Sequence, residues 1–319
     1  MKIAVVGAGA MGSIYAGLLS EAGHAVWAVD PNSAHVAAIN ANGLSLTGPD
    51  GTRLFRQIKA VGTAADIGEV VDLVVLATKA AHVPAATQSL GPVLGPETTI
   101  LAMQNGLGAA ERVRQNLPDA GSSAASAASA VHVALGVAQG FGASVRGPGV
   151  IAFANMRLMR FGETEDGDSP AMDALAQIWR EAGFEAQAFA NLGQLIWEKF
   201  ICNVSLSAPS LVFGQTVGGL LSVPEQWRIA LACGLEAHAV GQALGVPFSF
   251  DDPEAYITDF ARSVAGAKPS MLQDFEAGRR SEIDVINGRV PVEAERAGMD
   301  APWTRMLADI VRAKEAGLS

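Results

Sequence analysis

Gly7, Gly9 and Gly12 are spaced G-x-G-x-x-G, directly after the apolar run 1–6 and ahead of a segment of helical character. At the start of a strand–turn–helix unit this spacing points to dinucleotide binding. The glycines allow a tight turn and let a pyrophosphate approach the helix N-terminus, where unpaired N–H groups and the dipole favour anions. Ala8, Ala10 and Met11 complete the loop, so residues 7–12 are the expected cofactor cradle. Asp30 closes the next apolar run, eighteen residues after Gly12. A carboxylate there can accept both ribose hydroxyls of NAD and repels the 2′-phosphate of NADP. The bland alternative is that Asp30 only starts a turn with Pro31. No Lys or Arg lies between Ala25 and Arg53 to hold a 2′-phosphate, so the residues themselves favour NAD.

A second constellation lies far down the chain. Lys199, Asn203 and Ser207 are four positions apart and form one polar stripe if the segment is helical. Residues 195–212 are otherwise largely apolar, apart from Glu198, Ser205 and Ser210. A lysine in such a setting is costly unless it faces a cleft or finds a partner. The competing reading is a surface stripe on an amphipathic helix. Further on, Ser270 with Gln273 fits a capping box, and Glu282 reads as one acid among several.

These residues need elements to hold them. The pattern predicts strands at 1–6, 24–29, 72–78 and 98–103, and helices at 13–22 and 32–42. A hairpin is expected over 44–59, around Gly48-Pro49-Asp50-Gly51. Lys79 and Asn105 fall at the carboxyl ends of strands, where ligands sit in a doubly wound sheet. Short β-rich segments follow over 122–163, behind an Ala/Ser tract at 122–130. A helix is expected at 170–181. Beyond about residue 190 the strand signal stops, and helices are expected at 191–207, 225–244, 253–265, 270–286, 290–297 and 303–316. The fold class is therefore α/β, an N-terminal Rossmann-type doubly wound sheet followed by an all-helical C-terminal domain, with domains at 1–190 and 191–319.

Composition narrows the class of function. Of 319 residues, 50 % are apolar and 17 % charged, which excludes disorder as the main state. With 32 acidic against 22 basic residues the net charge is −10, which argues against nucleic-acid or anionic-membrane partners. Cys202 and Cys233 cannot build a disulfide framework and are expected to be buried and inert. No zinc spacing is present, so no metal is expected. The uncharged run 3–20 reads as strand, turn and helix rather than a signal peptide. A reducing, cytoplasmic setting follows as the expectation. The histidines are scattered and none is assigned to catalysis, His82 included.

The chain resembles the ketopantoate reductase (2-dehydropantoate 2-reductase) family over nearly its whole length. The resemblance rests on Gly7-x-Gly9-x-x-Gly12, Thr78-Lys79, Gln104-Asn105-Gly106 and Trp197-x-Lys199 with Asn203. Its most specific part runs from Ser270-Met271-Leu272-Gln273-Asp274 to Glu282-Ile283-Asp284-x-x-Asn287-Gly288. The resemblance implies a Rossmann domain plus a helical domain, and NAD(P)H as cofactor with NADP the family default. It implies that Lys199 is the general acid, donating a proton to the carbonyl oxygen as hydride arrives. It implies that Asn203, Ser207 and Ser270 bind substrate, Ser270 near the carboxylate, and that Asn105 touches both cofactor and substrate. Lys79 matches a cofactor-side position. Glu282 matches one on the cofactor side and in the outer ring of the catalytic site.

Hydride attack on a ketone builds negative charge on oxygen, which a nearby ammonium stabilises before supplying the proton. The carboxylate of a 2-oxo acid suits hydroxyl, amide and lysine donors. The expected partner is therefore a small 2-oxo acid, with ketopantoate to D-pantoate the default conversion. Two departures favour a relative acting with NAD on another branched or aromatic acid. Ser207 stands where the family has a second Asn, and Asp30-Pro31 replaces the basic residue common after the second strand. A non-catalytic dinucleotide sensor is the alternative outside enzymes. The apolar faces of the helical half suggest a homodimer.

Overall fold

Alternate residues of β1 (Lys2–Val6) point to opposite faces of a sheet, and both faces are covered. Ile3 and Val5 join one apolar cluster, while Ala4 and Val6 join another. A parallel strand buried on both sides must be apolar throughout, and that is the run after Lys2. β1 pairs in parallel with β2 (Ala25–Val29) and β6 (Leu73–Leu76), so it lies at the middle of the sheet. Between β1 and β2 runs α1 (Ala10–Glu21), and α2 (Ser33–Asn42) follows β2. Asn42-Gly43 ends α2 as expected, with Gly43 at φ +86.

The hairpin forms from β3 (Leu44–Gly48) and β4 (Gly51–Phe55), but it stops there. Lys59 instead opens β5 (Lys59–Val61), which pairs in parallel with β2. The eight-stranded sheet has the order β12-β11-β8-β7-β6-β1-β2-β5. Its parallel part takes in β7 (Thr99–Ala102) and β8 (His132–Ala138). β11 (Leu158–Gly162) pairs antiparallel to β8 and parallel to β12 (Glu185–Ala188). β12 was not expected from the sequence: Glu-Ala-Gln-Ala has weak strand propensity, and pairing with β11 overrides it. A smaller sheet, β4-β3-β10-β9, contains β9 (Ala143–Gly147) and β10 (Val150–Phe153). Among the described residues this part also contains the helices α3 (Val83–Gln88), α4 (Ala109–Gln115) and α5 (Pro170–Glu181).

The structure is a computed structural model that describes residues 1–118, 131–140, 142–154, 158–165 and 167–318. The Ala/Ser tract at 122–130 lies outside the described residues. The chain divides into two compact units, residues 1–104 with 109–192, and residues 105–108 with 193–319. The first holds both sheets. Its core contains Trp179, fully buried against Tyr15, Phe161 and Phe184 with ring centroids 4.8–5.1 Å away.

The second unit is helical and is built on α6 (Leu192–Phe213). Residues 204–211 of α6 are all buried, the signature of a helix at the centre of a helical bundle. The helix was expected over 191–207, yet it continues through Pro209 to Phe213. Proline removes one backbone donor, and the surrounding packing holds the rest of the helix in place. A short helix, α7 (Val217–Ser222), was not anticipated. It is followed by α8 (Pro224–Ala243) and α9 (Pro253–Ser263).

The single helix expected over 270–286 is the main correction. α10 (Ser270–Glu276) ends at Gly278, whose φ of +69 the helix cannot continue through. The Arg279 amide closes the turn on the Asp274 carbonyl at 2.9 Å, and the Arg279 guanidinium meets the buried Asp274 carboxylate at 2.8 Å. The chain resumes as a 3₁₀ turn over Ile283–Val285, then α11 (Arg289–Arg296) and α12 (Pro302–Glu315). Among the described residues no helix is long and apolar enough to cross a membrane.

Candidate functional site

The glycine loop of the first unit has the conformation its spacing demands. Gly7 adopts φ +90, and a Cβ there would lie 2.7 Å from the Thr78 nitrogen. A Cβ on Gly12 would collide with the Gly7 carbonyl. Gly9 differs, because a Cβ there would meet nothing within 4 Å. Gly9 is also the N-cap of α1, with no side-chain cap and no acidic residue in the first turn. The loop thus presents an open backbone concavity beside an uncapped helix N-terminus, which suits an anion. The Gly7 and Ala8 amides both donate to the Val29 carbonyl, at 2.9 and 3.2 Å, tying the loop to the end of β2.

Asp30 follows on that strand end. One oxygen of its carboxylate accepts the Asn32 amide at 2.9 Å. This local contact is the turn that the alternative reading of Asp30 expects. Lys79 is exposed just past β6 and opens the 3₁₀ turn Ala80–His82; His82 is exposed as well. Gln104 Nε2 donates to the Leu76 carbonyl at 2.6 Å and fixes the end of β6. Thr78 Oγ1 and Gln104 Oε1 are buried without a partner among the described residues. An open cradle, an uncapped helix and orphaned polar atoms together fit a dinucleotide.

The second unit gathers a different set. Lys199 Nζ donates to Asn105 Oδ1 at 3.0 Å. Burial pushes the Lys199 ammonium down to about 8, while the Glu282 carboxylate pulls the other way. Asn105 is held by its neighbours. Gly106 sits at φ +82, and a Cβ there would collide with the Val285 carbonyl. Residues 105–108 therefore dock on the 3₁₀ turn that directly follows Glu282. The break in the expected 270–286 helix makes that turn possible. Lys199, Asn105 and Glu282 are thus brought together from three separate segments.

Asn203 and Ser207 lie one and two turns beyond Lys199 on α6, Asn203 half-buried and Ser207 buried. Ser270 is exposed at the first position of α10. The capping box does not form: Pro269 occupies the cap position without a side-chain cap, and Gln273 Nε2 donates to the Lys268 carbonyl instead. Proline before Ser270 makes the serine the first helical residue, which leaves its hydroxyl out of capping geometry. Cys202 and Cys233 are both buried, and burial pushes their thiols up.

Two supporting residues carry no site role in the sequence reading. Asn287 is fully buried and donates to the Val204 carbonyl at 2.7 Å, tying the end of the 3₁₀ segment to α6. Asn287-Gly288 falls in the most specific segment of the family resemblance, but read by itself an Asn-Gly pair signals only a turn. Glu198 is buried beside Lys199 and accepts the Ser249 amide at 2.7 Å and Gln194 Nε2 at 2.9 Å.

A Rossmann-type unit with an open glycine loop at a helix N-terminus, followed by a helical unit, has the architecture of a dinucleotide-binding protein. The comparisons narrow this. Residues 3–166 match the family model "Ketopantoate reductase PanE/ApbA", and residues 191–315 match its C-terminal counterpart. The chain belongs to the ketopantoate reductase family, whose members are oxidoreductases acting on CH–OH groups with NAD(P)H. It is 32 % identical to a 2-dehydropantoate 2-reductase of Mesorhizobium japonicum over 301 residues, 90 % of this chain and 89 % of that protein. It is 28 % identical to a Streptococcus pyogenes protein of the same name, over 100 % of this chain and 99 % of that one. The crystal structure of a ketopantoate reductase family member from Ralstonia eutropha superposes with a TM-score of 0.87 at 28 % identity, covering 99 % of both chains. A D-mandelate dehydrogenase solved with NADH and anilino(oxo)acetate shares the fold, with a TM-score of 0.87 at 24 % identity, covering 100 % of this chain and 99 % of that one.

Proposed function

We propose that this protein reduces a 2-oxo acid to the 2-hydroxy acid, with ketopantoate to D-pantoate the default pair and Lys199 the general acid. The observation that carries the reading is the Lys199 ammonium, acidified by burial and aligned by Asn105 at 3.0 Å. A bound nicotinamide supplies the hydride. As charge builds on the carbonyl oxygen, the Lys199 ammonium stabilises it and transfers a proton. Asn105 accepts one of the three ammonium N–H donors and so fixes the direction of the ammonium. Glu282 favours the charged ammonium against burial. Asn203, Ser207 and Ser270 are assigned to substrate, with Ser270 serving the carboxylate.

In this reading residues 1–190 form the cofactor half and residues 191–319 the substrate half. Residues 7–12, Asp30 and Lys79 hold the dinucleotide, joined by Asn105 and Glu282. Asp30, with no basic residue between 25 and 52, supports NAD over NADP. Ser207 supports a second reading, an NAD-dependent dehydrogenase of another branched or aromatic 2-hydroxy acid. A hydroxyl is shorter than the family's amide and leaves room in the pocket wall.

Initial rates of NADH and NADPH oxidation with ketopantoate, at matched concentrations, test both assignments. Turnover with NADH favoured supports the whole reading. NADPH favoured overturns the Asp30 assignment. No turnover with either cofactor moves the substrate to a panel of branched and aromatic 2-oxo acids, and silence across that panel rejects the reductase reading.

The lysine also sets a pH profile. Lys199 is charged below about pH 8 and neutral above it. Reduction, which needs the ammonium, is expected to be level below about pH 8 and to fall about tenfold per pH unit above it. Oxidation of the 2-hydroxy acid needs the neutral amine and is expected to rise through the same region. A reduction rate that climbs above pH 8 contradicts the role.

A cytoplasmic homodimer is part of the same proposal. Trp303, Met306 and Ile310 are exposed large apolar residues spaced three and four apart on α12. Light scattering at micromolar concentration is expected to give twice the chain mass, and Met306→Glu to shift it to the monomer.

A further inference from the structure

His35 is buried on α2, 5 % exposed, and none of the roles assigned above uses it. Its Nδ1 accepts the Gly149 amide at 3.0 Å, so the ring proton resides on Nε2. Nε2 lies 3.5 Å from Ser13 Oγ. Ser13 is fully buried and donates its own hydroxyl proton to the Ala8 carbonyl at 2.7 Å. With that proton committed, Ser13 Oγ can only accept from the imidazole. The direction of the whole chain is therefore settled, from the Gly149 N–H through the ring and the hydroxyl to the Ala8 carbonyl.

Ala8 belongs to the glycine loop. Its carbonyl and the Gly9 N–H share one planar trans peptide, in which the two bonds point in opposite directions. Holding the Ala8 carbonyl inward against Ser13 turns the Gly9 N–H outward. A Cβ on Gly9 would meet nothing within 4 Å, so space is open beside this peptide. The anchor of the chain is also firm. The Gly149 carbonyl accepts the Ser45 amide at 2.8 Å, and a Cβ on Gly149 would approach Ala38 Cβ to 3.3 Å. The first turn of α2 is capped by Asn32, whose Oδ1 accepts the His35 amide at 3.1 Å. Asn32 in turn donates its amide to Asp30.

We propose that His35 is a positioning residue for the dinucleotide: through Ser13 it sets the Ala8–Gly9 peptide so that the Gly9 N–H faces the pyrophosphate. The inference rests on the proposed cofactor site. A gap on the loop side of the ring, between His35 and Ser13 or between Ser13 and Ala8, leaves buried polar groups unpaired and lets that peptide rotate.

The test compares two amides of similar size. In His35→Gln the side-chain amide nitrogen reaches the place of imidazole Nε2 and keeps the bond to Ser13. In His35→Asn the amide oxygen takes the place of Nδ1, keeps Gly149 and loses Ser13. Dissociation constants for NADH and NADPH, from quenching of protein fluorescence, are read beside the melting temperature. His35→Asn is expected to weaken the better cofactor about tenfold, and His35→Gln to stay within about threefold of wild type. Ser13→Ala is expected to match His35→Asn, with the double variant no weaker than either single one. Wild-type affinity in both His35→Asn and Ser13→Ala overturns the inference. So does equal weakening of the Asn and Gln variants with equal loss of melting temperature, which is a structural role only. Binding of neither cofactor by the wild-type protein instead rejects the functional reading on which the inference rests.

Discussion

Lys199→Ala is expected to lower kcat for 2-oxo acid reduction by about 10⁴-fold while NADH binding stays within about threefold of wild type. The variant removes both the proton donor and the charge that meets the developing oxyanion, so the two losses fall on one transition state. Folding is expected to survive. Truncation removes a desolvated ammonium, which burial already disfavours in its charged form. Asn105 keeps its place through the glycine beside it rather than through Lys199. Lys199→Arg provides the control: it keeps the charge but cannot give up its proton near neutral pH, and recovers little of the rate. Single-turnover measurement with saturating cofactor reads the chemical step directly. A Lys199→Ala enzyme within tenfold of wild type removes Lys199 from the mechanism.

Gly106→Ala has the second largest expected effect, although the side chain added touches no substrate. Two constraints act on this residue together. Its φ of +82 disfavours any L side chain, and a Cβ would collide with the Val285 carbonyl. The backbone must shift, at a cost of about 1–3 kcal/mol in stability, and Asn105 shifts with it. Moving Asn105 by about 1 Å misaligns the ammonium and is expected to lower kcat about 10²-fold. NADH and NADPH affinity, read separately, is expected to change much less than kcat. The diagnostic feature is the split between stability and turnover. Gly108→Ala, also at positive φ (+77), is expected to lose stability with a smaller loss of rate, because Gly108 does not adjoin Asn105. Equal losses of rate in the two variants argue against a specific role for the Gly106 contact.

Much of the first unit was legible along the chain. Strands β1, β2, β6 and β7 are continuous apolar runs, and α1 and α2 are punctuated by Gly23 and Gly43. These signals are local, because periodicity and turn chemistry act over a few residues. β12 and the departure of Lys59 from the hairpin were not legible, since a short strand of weak propensity takes its conformation from the neighbour it pairs with. In the helical half the same local signals placed most helices but misjudged two ends. Pro209 stops no helix because the packed core holds α6 past it, and Gly278 stops one that apolar spacing alone would continue.

The sequence by itself determined the α/β-then-helical order, the glycine loop, the acid at the end of β2 and the polar stripe on α6. Each depends on residue type and spacing along one element. Only the tertiary structure decided that Lys199 meets Asn105, 94 residues away, and that residues 105–108 rest on the turn after Glu282. Only the tertiary structure joined His35 through Ser13 to the glycine loop. Such contacts depend on how elements pack, and a side chain's burial, partner and proton affinity come from that packing rather than from its neighbours in the chain.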